Sequence, residues 1–188
     1  SIFWFTDNIP PIFPLFERDE NGDFIPEPIF GGNTYDYGVG RSFGALTNSI
    51  ADAHYDRSRT DRNSIDGKVG LNINFTKHFS FENSFGGQYY SSIYNNLNNP
   101  FYGSAAGTTG SIWKRHEEFT TYTLLNLLRY KNDWDNHSFE ALAAHEATNW
   151  LRKRSDVFKT KIVDPNLDDL TNFIVVSSPP QGYTDEWS

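Results

Sequence analysis

Apolar and polar side chains alternate strictly along residues 65–75. The odd-numbered positions are apolar except for Gly67, and the even-numbered positions are polar apart from Gly70. A period of two places successive side chains on opposite faces of a β-strand. The pattern therefore predicts a strand with one apolar and one polar face. Its length of eleven residues matches a tilted membrane-spanning strand of about 9–11 residues.

The same alternation returns at residues 79–91, after a short polar segment at residues 76–78. Two such strands joined by a tight turn predict a hairpin over residues 65–91, of the kind found in outer-membrane barrels. Its polar face, with Lys68, Asn72, Asn74 and Glu82, is expected to line the lumen. The residues expected to face lipid are Val69, Leu71, Ile73, Phe75, Phe79 and Phe81.

Weaker alternation predicts a second hairpin over residues 119–147, with strands at 119–130 and 138–147. A helix competes for 138–147 because that segment is rich in helix-forming residues, but its place after a short turn favours a strand. Residues 1–64 are expected to be extended or loop-like because five prolines between positions 10 and 28 exclude a helix interior or a central strand. Within them, residues 47–62 fit a short helix or a solvated loop. Residues 19–23 predict a turn rather than a calcium loop, since Phe30 stands where such a loop needs glutamate.

Connections of two lengths alternate along the chain. The segments 76–78 and 131–137 are short, whereas 94–118 and 149–188 are long and are predicted to be outer loops. Barrels of the outer membrane have short periplasmic turns and long extracellular loops. The predicted fold is therefore all-β: a segment of a large antiparallel transmembrane β-barrel, with up-and-down hairpins and long outer loops.

Composition agrees with this fold class. Aromatic residues make up 16% of the chain, cysteine is absent and mean hydropathy is −0.60. A barrel requires aromatic belts and a polar lumen, which together produce such a mixture. The net charge of −8 argues against nucleic acid as a partner. Methionine is also absent, so we expect the sequence to be a window cut from a longer protein.

No motif in the chain indicates an enzyme, a metal site or a cofactor. Residues 145–149 resemble a zinc-protease motif, but Asn149 replaces the second histidine ligand. Candidate ligand- or partner-contacting residues are the aromatic side chains Phe101, Tyr102 and Trp113 of the predicted loop 94–118, because sugar rings and peptide side chains stack on aromatic faces. The alternative, which the sequence favours, is that these rings pack the loop onto its neighbours or onto a partner.

Several stretches, taken in order, resemble the SusC/RagA family of TonB-dependent outer-membrane transporters. They are Pro10–Phe16 with the turn at Asp19–Gly22, Tyr35–Gly38 with Arg41, Gly67–Phe75 with the strand from Phe79, Asn99–Gly103, Asn126–Tyr130, and His137–Phe139 continuing to His145 and Glu146. The family's plug domain, its TonB-contacting segment and its closing strand have no counterpart in the sequence. The resemblance therefore covers an internal slice of the barrel.

The resemblance implies a function in the bacterial outer membrane. It implies import of oligosaccharide or peptide nutrients together with a SusD-like surface lipoprotein. The other implied partners are the remainder of the same barrel, outer-membrane lipid, and the TonB complex acting through the missing plug region. Two alternatives stay open: a secreted glycan-binding β-sandwich and a fragment of an all-β hydrolase. The long alternation opposes a sandwich, whose strands are usually about 5–6 residues long.

Overall fold

Five antiparallel strands form one sheet in the part of the chain that the structure describes. The computed structural model describes residues 13–39 and 48–187. Strands β1 (Arg57–Asn74), β2 (Phe79–Asn98), β3 (Ser111–Trp134), β4 (His137–Ile162) and β5 (Phe173–Trp187) lie in the order β1-β2-β3-β4-β5. The prediction of an all-β antiparallel fold is confirmed, and the arrangement is consistent with a barrel segment. Pro10, Pro11 and Arg41, part of the stretches that carry the resemblance, lie outside the described residues.

Tight turns join β1 to β2 and β3 to β4. In the first turn, the amide of Phe75 donates to the carbonyl of Phe79 over 3.0 Å. The Thr76 hydroxyl oxygen accepts from the amides of His78 and Phe79, which fixes the reversal. The segment 138–147, for which a helix was the competitor, lies inside β4. Pairing with β3 along its whole length outweighs its local helix propensity.

The strands extend well beyond the apolar alternation. The predicted loop 94–118 is loop only over residues 99–110, because β2 continues to Asn98 and β3 begins at Ser111. The predicted loop 149–188 is also wrong over most of its length, since β4 runs to Ile162 and β5 occupies Phe173–Trp187. Polar and apolar side chains are mixed on both faces of these extensions, so backbone pairing holds them without a hydrophobic period. Pro179 and Pro180 fall in β5, an edge strand of this sheet, where prolines are tolerated.

The described residues before β1 form short local structures. Helix α1 (Ser49–Tyr55) begins at Asn48, whose side chain accepts from the amide of Ala51. Isolated bridges pair Phe16 with Tyr35, and Arg18 with Phe24. The predicted turn at residues 19–23 forms with Gly22 at a φ of 89°, which glycine adopts without strain. The expectation that residues 1–64 hold no long element fails at residues 57–64, which belong to β1.

The described chain divides into two compact units. The first contains the described residues up to 59 together with 95–114 and 157–179, and the second contains 60–94, 115–156 and 180–187. In the first unit, a small apolar core consists of Leu97, Ile112, Ile162 and Phe173. The second unit consists of the middle and turn-side parts of the strands. None of the helices among the described residues is long and apolar enough to cross a membrane.

Candidate functional site

An aromatic cluster in the first unit surrounds Tyr102, and we call it the Tyr102 cluster. The ring of Tyr102 stacks on Tyr55 at a centroid distance of 5.1 Å and on Tyr37 at 6.4 Å. Phe30 extends the cluster through Tyr55, at 5.0 Å, and through Phe101, at 5.9 Å. Phe30 is 48% exposed and Phe101 is 42% exposed. The cluster therefore presents an apolar edge to its surroundings.

A buried carboxylate anchors the Tyr102 cluster. Glu27 accepts hydrogen bonds from the hydroxyl of Tyr102 and from the amides of Ile29, Phe30 and Gly31. Burial of the carboxylate opposes its charge, yet these donors together outweigh burial and lower the pKa of Glu27 below its ordinary value. The carboxylate is saturated by its own neighbours. The carboxylate joins residues 29–31 to Tyr102 and is not free to bind a ligand.

Two further acidic side chains bind the Tyr102 cluster and the segment 99–103 that carries part of it. Asp56 accepts from the amide of Asn99 over 2.7 Å, and the Asn99 side chain in turn accepts from the amide of Phe101 over 2.7 Å. Asp52 accepts from the Tyr37 hydroxyl over 3.2 Å. Burial raises the pKa of Asp52 and that of Asp56. These contacts hold Phe101 and Tyr102 in a defined orientation, as a binding surface requires.

The three aromatic residues chosen from the sequence have different environments. Phe101 is exposed, and Tyr102 is half-buried with its hydroxyl bonded to Glu27. Trp113 is half-buried and belongs to strand β3 rather than to a loop. Phe30, Tyr37 and Tyr55 complete the cluster with Phe101 and Tyr102, and sequence reasoning did not choose any of these three as site residues. They are distant from residues 101–102 along the chain, so no local pattern connects them.

In the second unit, side-chain contacts define an apolar face of the sheet. Phe79, Tyr130 and Phe139 form one row of rings across β2, β3 and β4, with centroid distances of 4.7 and 6.1 Å. Phe85 and Tyr122 form a second contact at 6.1 Å. Of the residues expected to face lipid, Val69, Leu71, Phe75 and Phe79 are exposed, and Ile73 and Phe81 are half-buried. All six share this face by their odd numbering.

One row of polar side chains crosses the apolar face. The side-chain nitrogen Nδ2 of Asn83 donates to the side-chain oxygen Oδ1 of Asn126 over 2.7 Å. The side-chain nitrogen Nδ2 of Asn126 lies 3.3 Å from Nδ1 of His145. Sequence reasoning missed this row, although the odd position of Asn83 among apolar residues was a visible signal. We call Asn83, Asn126 and His145 the polar row.

The opposite face of the second unit is polar and carries an arginine-rich cluster. The guanidinium of Arg62 lies 3.8 Å from the centroid of the Tyr90 ring, and that of Arg152 lies 5.8 Å from the Phe119 ring. Arg115 and Arg154 both bind Asp156 over 2.7 Å. The arginine patch is defined as Arg62, Arg115, Arg152 and Arg154 with the rings that they cover. The sequence prediction had assigned Arg152 and Arg154 to an outer loop.

The described residues contain no cluster of three or more histidine, aspartate or glutamate side chains able to hold a metal ion. No protein-family model matches the chain, and no curated protein matches it. Among solved structures, the chain is similar to one described as the structure of the RagAB peptide transporter, with a TM-score of 0.68 and 18% sequence identity. The match covers 84% of this chain and 18% of that chain. At this identity the similarity establishes a shared fold.

Proposed function

We propose that these strands are part of a TonB-dependent outer-membrane importer for oligosaccharide or peptide nutrients. The observation that carries the proposal is the apolar face with aromatic rings near both ends. Ten residues of β2 separate Phe79 from Tyr89, and eight residues of β3 separate Tyr130 from Tyr122. A rise of about 3.3 Å per residue and a tilt of about 35–45° convert these spacings to roughly 20–25 Å along the membrane normal. The apolar band of an outer-membrane barrel is about 25 Å tall.

The polar face supports the same proposal. Arg129 pairs with Glu140, and the hydroxyls of Thr123 and Thr148 lie 3.1 Å apart. Polar groups that satisfy one another across neighbouring strands are suited to the water-filled or plugged lumen of a large barrel. The shared fold with a solved chain of a peptide transporter supports a transport role. The proposed role is transport rather than catalysis.

The edges of the sheet and the exposed rings of the Tyr102 cluster indicate the partners of this chain. In the described sheet, β1 and β5 are edge strands, and in lipid an open edge leaves backbone groups unpaired at several kcal/mol each. We therefore propose that both edges pair with further strands of the same barrel. The exposed rings of Phe30 and Phe101 form a surface suited to a SusD-like lipoprotein. Coupling to the TonB complex would act through a plug region of the full-length protein.

Cysteine labelling tests the orientation of the sheet. The sequence contains no cysteine, so Leu71→Cys and Asn72→Cys each introduce one thiol into it. In the full-length protein reconstituted into liposomes, a water-soluble maleimide should label Cys at position 72 and leave position 71 protected by lipid. Equal labelling of both positions would contradict a membrane-spanning sheet.

Transport itself requires a separate test. Deleting the full-length gene should abolish growth on the oligosaccharide or peptide that the protein imports, and the intact gene should restore it. A variant that lacks a functional TonB-coupling segment should assemble but fail to restore growth. Restoration by that variant would contradict TonB dependence while leaving the barrel assignment intact.

Strand length argues against the alternative of a secreted glycan-binding sandwich. The five strands are 15–26 residues long, whereas strands in sandwiches usually have about 5–6 residues. The 188 residues expressed alone should aggregate, because both sheet edges and the apolar face would be uncovered. A soluble monomer that unfolds cooperatively in water would favour the sandwich.

A further inference from the structure

The arginine patch lies on the polar face of the second unit. Asp156 is shared by Arg115 and Arg154, and Glu117 accepts from the Tyr90 hydroxyl over 2.9 Å. Arg62 and Arg152 instead lie over aromatic rings.

Arg152 has hydrogen-bonding capacity that the described structure leaves unused. Its Nε is buried and has no hydrogen-bond partner among the described residues. A buried donor without a partner is unfavourable, by about 1–3 kcal/mol. Arg62 supplies a second guanidinium on the adjacent ring: it lies over Tyr90, which stacks on the Phe119 ring that Arg152 covers.

The aromatic rings of the patch orient these guanidinium groups. Tyr90 stacks on Phe119 at 5.3 Å, and Phe119 stacks on Trp150 at 6.1 Å. Arg62 lies over the first ring and Arg152 over the second. An arginine held over an aromatic ring keeps its terminal N–H groups available at its edge; the buried Nε of Arg152 is not one of these groups. Such an edge matches the two oxygens of a carboxylate, which arginine binds through two parallel hydrogen bonds.

We propose that Arg62 and Arg152 bind a carboxylate group of the transported nutrient, with Tyr90, Phe119 and Trp150 contacting its apolar part. This inference rests on the proposed function, which turns the polar face toward the lumen. The free carboxyl terminus of a short peptide is the source that we favour, because apolar side chains next to it can pack on the adjacent rings. An acidic sugar carries the same group and is the alternative source.

The position of the patch along the strands suits an early contact with nutrient. Arg152 is fifteen residues from the start of β4 at His137. The rise and tilt of barrel strands give about 2.3–2.7 Å per residue along the membrane normal. Arg152 is therefore roughly 35–40 Å from the tight turn in that direction. Arg152 would therefore lie near the outer mouth of the lumen, while Tyr90, which follows Tyr89, would lie at the outer edge of the apolar band.

Binding to the full-length protein in detergent tests the inference. The probes are N-acetyl-trialanine with a free carboxyl terminus, the same peptide amidated, and a trimer of galacturonic acid. The free acid should bind about tenfold to a hundredfold more tightly than the amide, as expected when charged hydrogen bonds are lost. Tighter binding of the sugar acid than of the free peptide would overturn the peptide source.

Variants separate a carboxylate site from a structural role. Arg152→Gln and Arg62→Gln should each remove most of the preference for the free acid and leave the binding of the amide unchanged. Arg152→Lys should retain part of the preference, because it keeps the charge but loses the paired hydrogen bonds. The matched control is Arg129→Gln on the same polar face, where the arginine pairs with Glu140 and no loss is expected.

Two results would overturn the inference while leaving the transport proposal intact. One is equal binding of free acid and amide, or no binding of any probe, by a protein that still imports nutrient. The other is an equal loss of affinity for both peptides in the Arg152 variants, including Arg152→Lys. Failure of the full-length protein to enter a membrane would instead contradict the proposed function.

Discussion

Replacing Leu71 by arginine provides a sharp test of the membrane-facing assignment. Leu71 lies near the turn-side end of β1, and its side chain is 54% exposed on the apolar face of the sheet. It is four residues from Phe75, which places it roughly 10 Å from the level of the turn-side aromatic row, at about 2.5 Å per residue. Within a band about 25 Å tall, this position is close to the midplane.

The magnitude of the Leu71→Arg effect follows from that depth. An arginine at the midplane of a lipid-facing barrel surface is unfavourable by about 2–4 kcal/mol. At 1.4 kcal/mol for each factor of ten, the folding equilibrium should fall by about thirtyfold to several hundredfold. If the same face met water, an exposed substitution would change stability by less than about 0.5 kcal/mol.

The matched control for Leu71→Arg is Asn72→Arg, one residue further along the same strand and on the polar face. Both variants of the full-length protein would be unfolded with urea in liposomes, and folding would be followed by heat-modifiable migration. Leu71→Arg should lower the midpoint strongly, and Asn72→Arg should leave it almost unchanged. Equal shifts for the two variants would refute the assignment of the faces.

Three further predictions concern sidedness, the polar row and Glu27. Protease added to intact cells should cut within residues 99–110 and spare the turn 76–78, and cleavage at the turn alone would reverse the topology. Asn126→Leu should lower the free energy of unfolding by about 1–3 kcal/mol, because its two neighbours in the polar row lose their partner. Replacing all three residues of the polar row by leucine should change it little, as measured by urea titration. An equal loss in the single and the triple variant would count against the pairing. The pKa of Glu27 is lower in the folded protein than its ordinary value of 4.5. The carboxylate therefore stabilises the fold above pH 4.5, and this stabilisation is lost as the pH falls through the lower folded pKa. Glu27→Gln should remove this acid dependence, measured as protease sensitivity of the loop 99–110, and an unchanged pH profile would contradict the role of the carboxylate.

The sequence predicted the fold wherever one face of a strand is apolar. In residues 65–75 and 79–91 the period of two is unambiguous, and it gave the correct element type. The period disappears in residues 57–64 and 149–162, because both faces there carry polar side chains. These segments are strands because a neighbouring backbone pairs with them, and pairing over that distance leaves no local signal.

The candidate sites were harder to predict than the strands. Phe101 and Tyr102 were chosen from local composition, but the carboxylate that anchors Tyr102 is Glu27, which lies 75 residues earlier. The arginine patch combines side chains from β1, β3 and β4. Arg152 and Arg154 share a face because they are two residues apart, and this was visible in the sequence only once residues 149–162 were known to be a strand.

The polar row bears on how the sheet keeps its register. Around His145, strand β4 presents the small residues Ala143 and Ala147 to the apolar face, so packing alone distinguishes poorly between neighbouring registers. A slip of one residue would turn the apolar side chains of β4 toward the polar face and separate Asn126 from His145. In lipid, where no water replaces a lost partner, that separation leaves the side-chain amide of Asn126 without its partner on β4. The hydrogen bonds from Asn83 through Asn126 to His145 thus penalise every register except the observed one, at the price of three polar groups inside an apolar band.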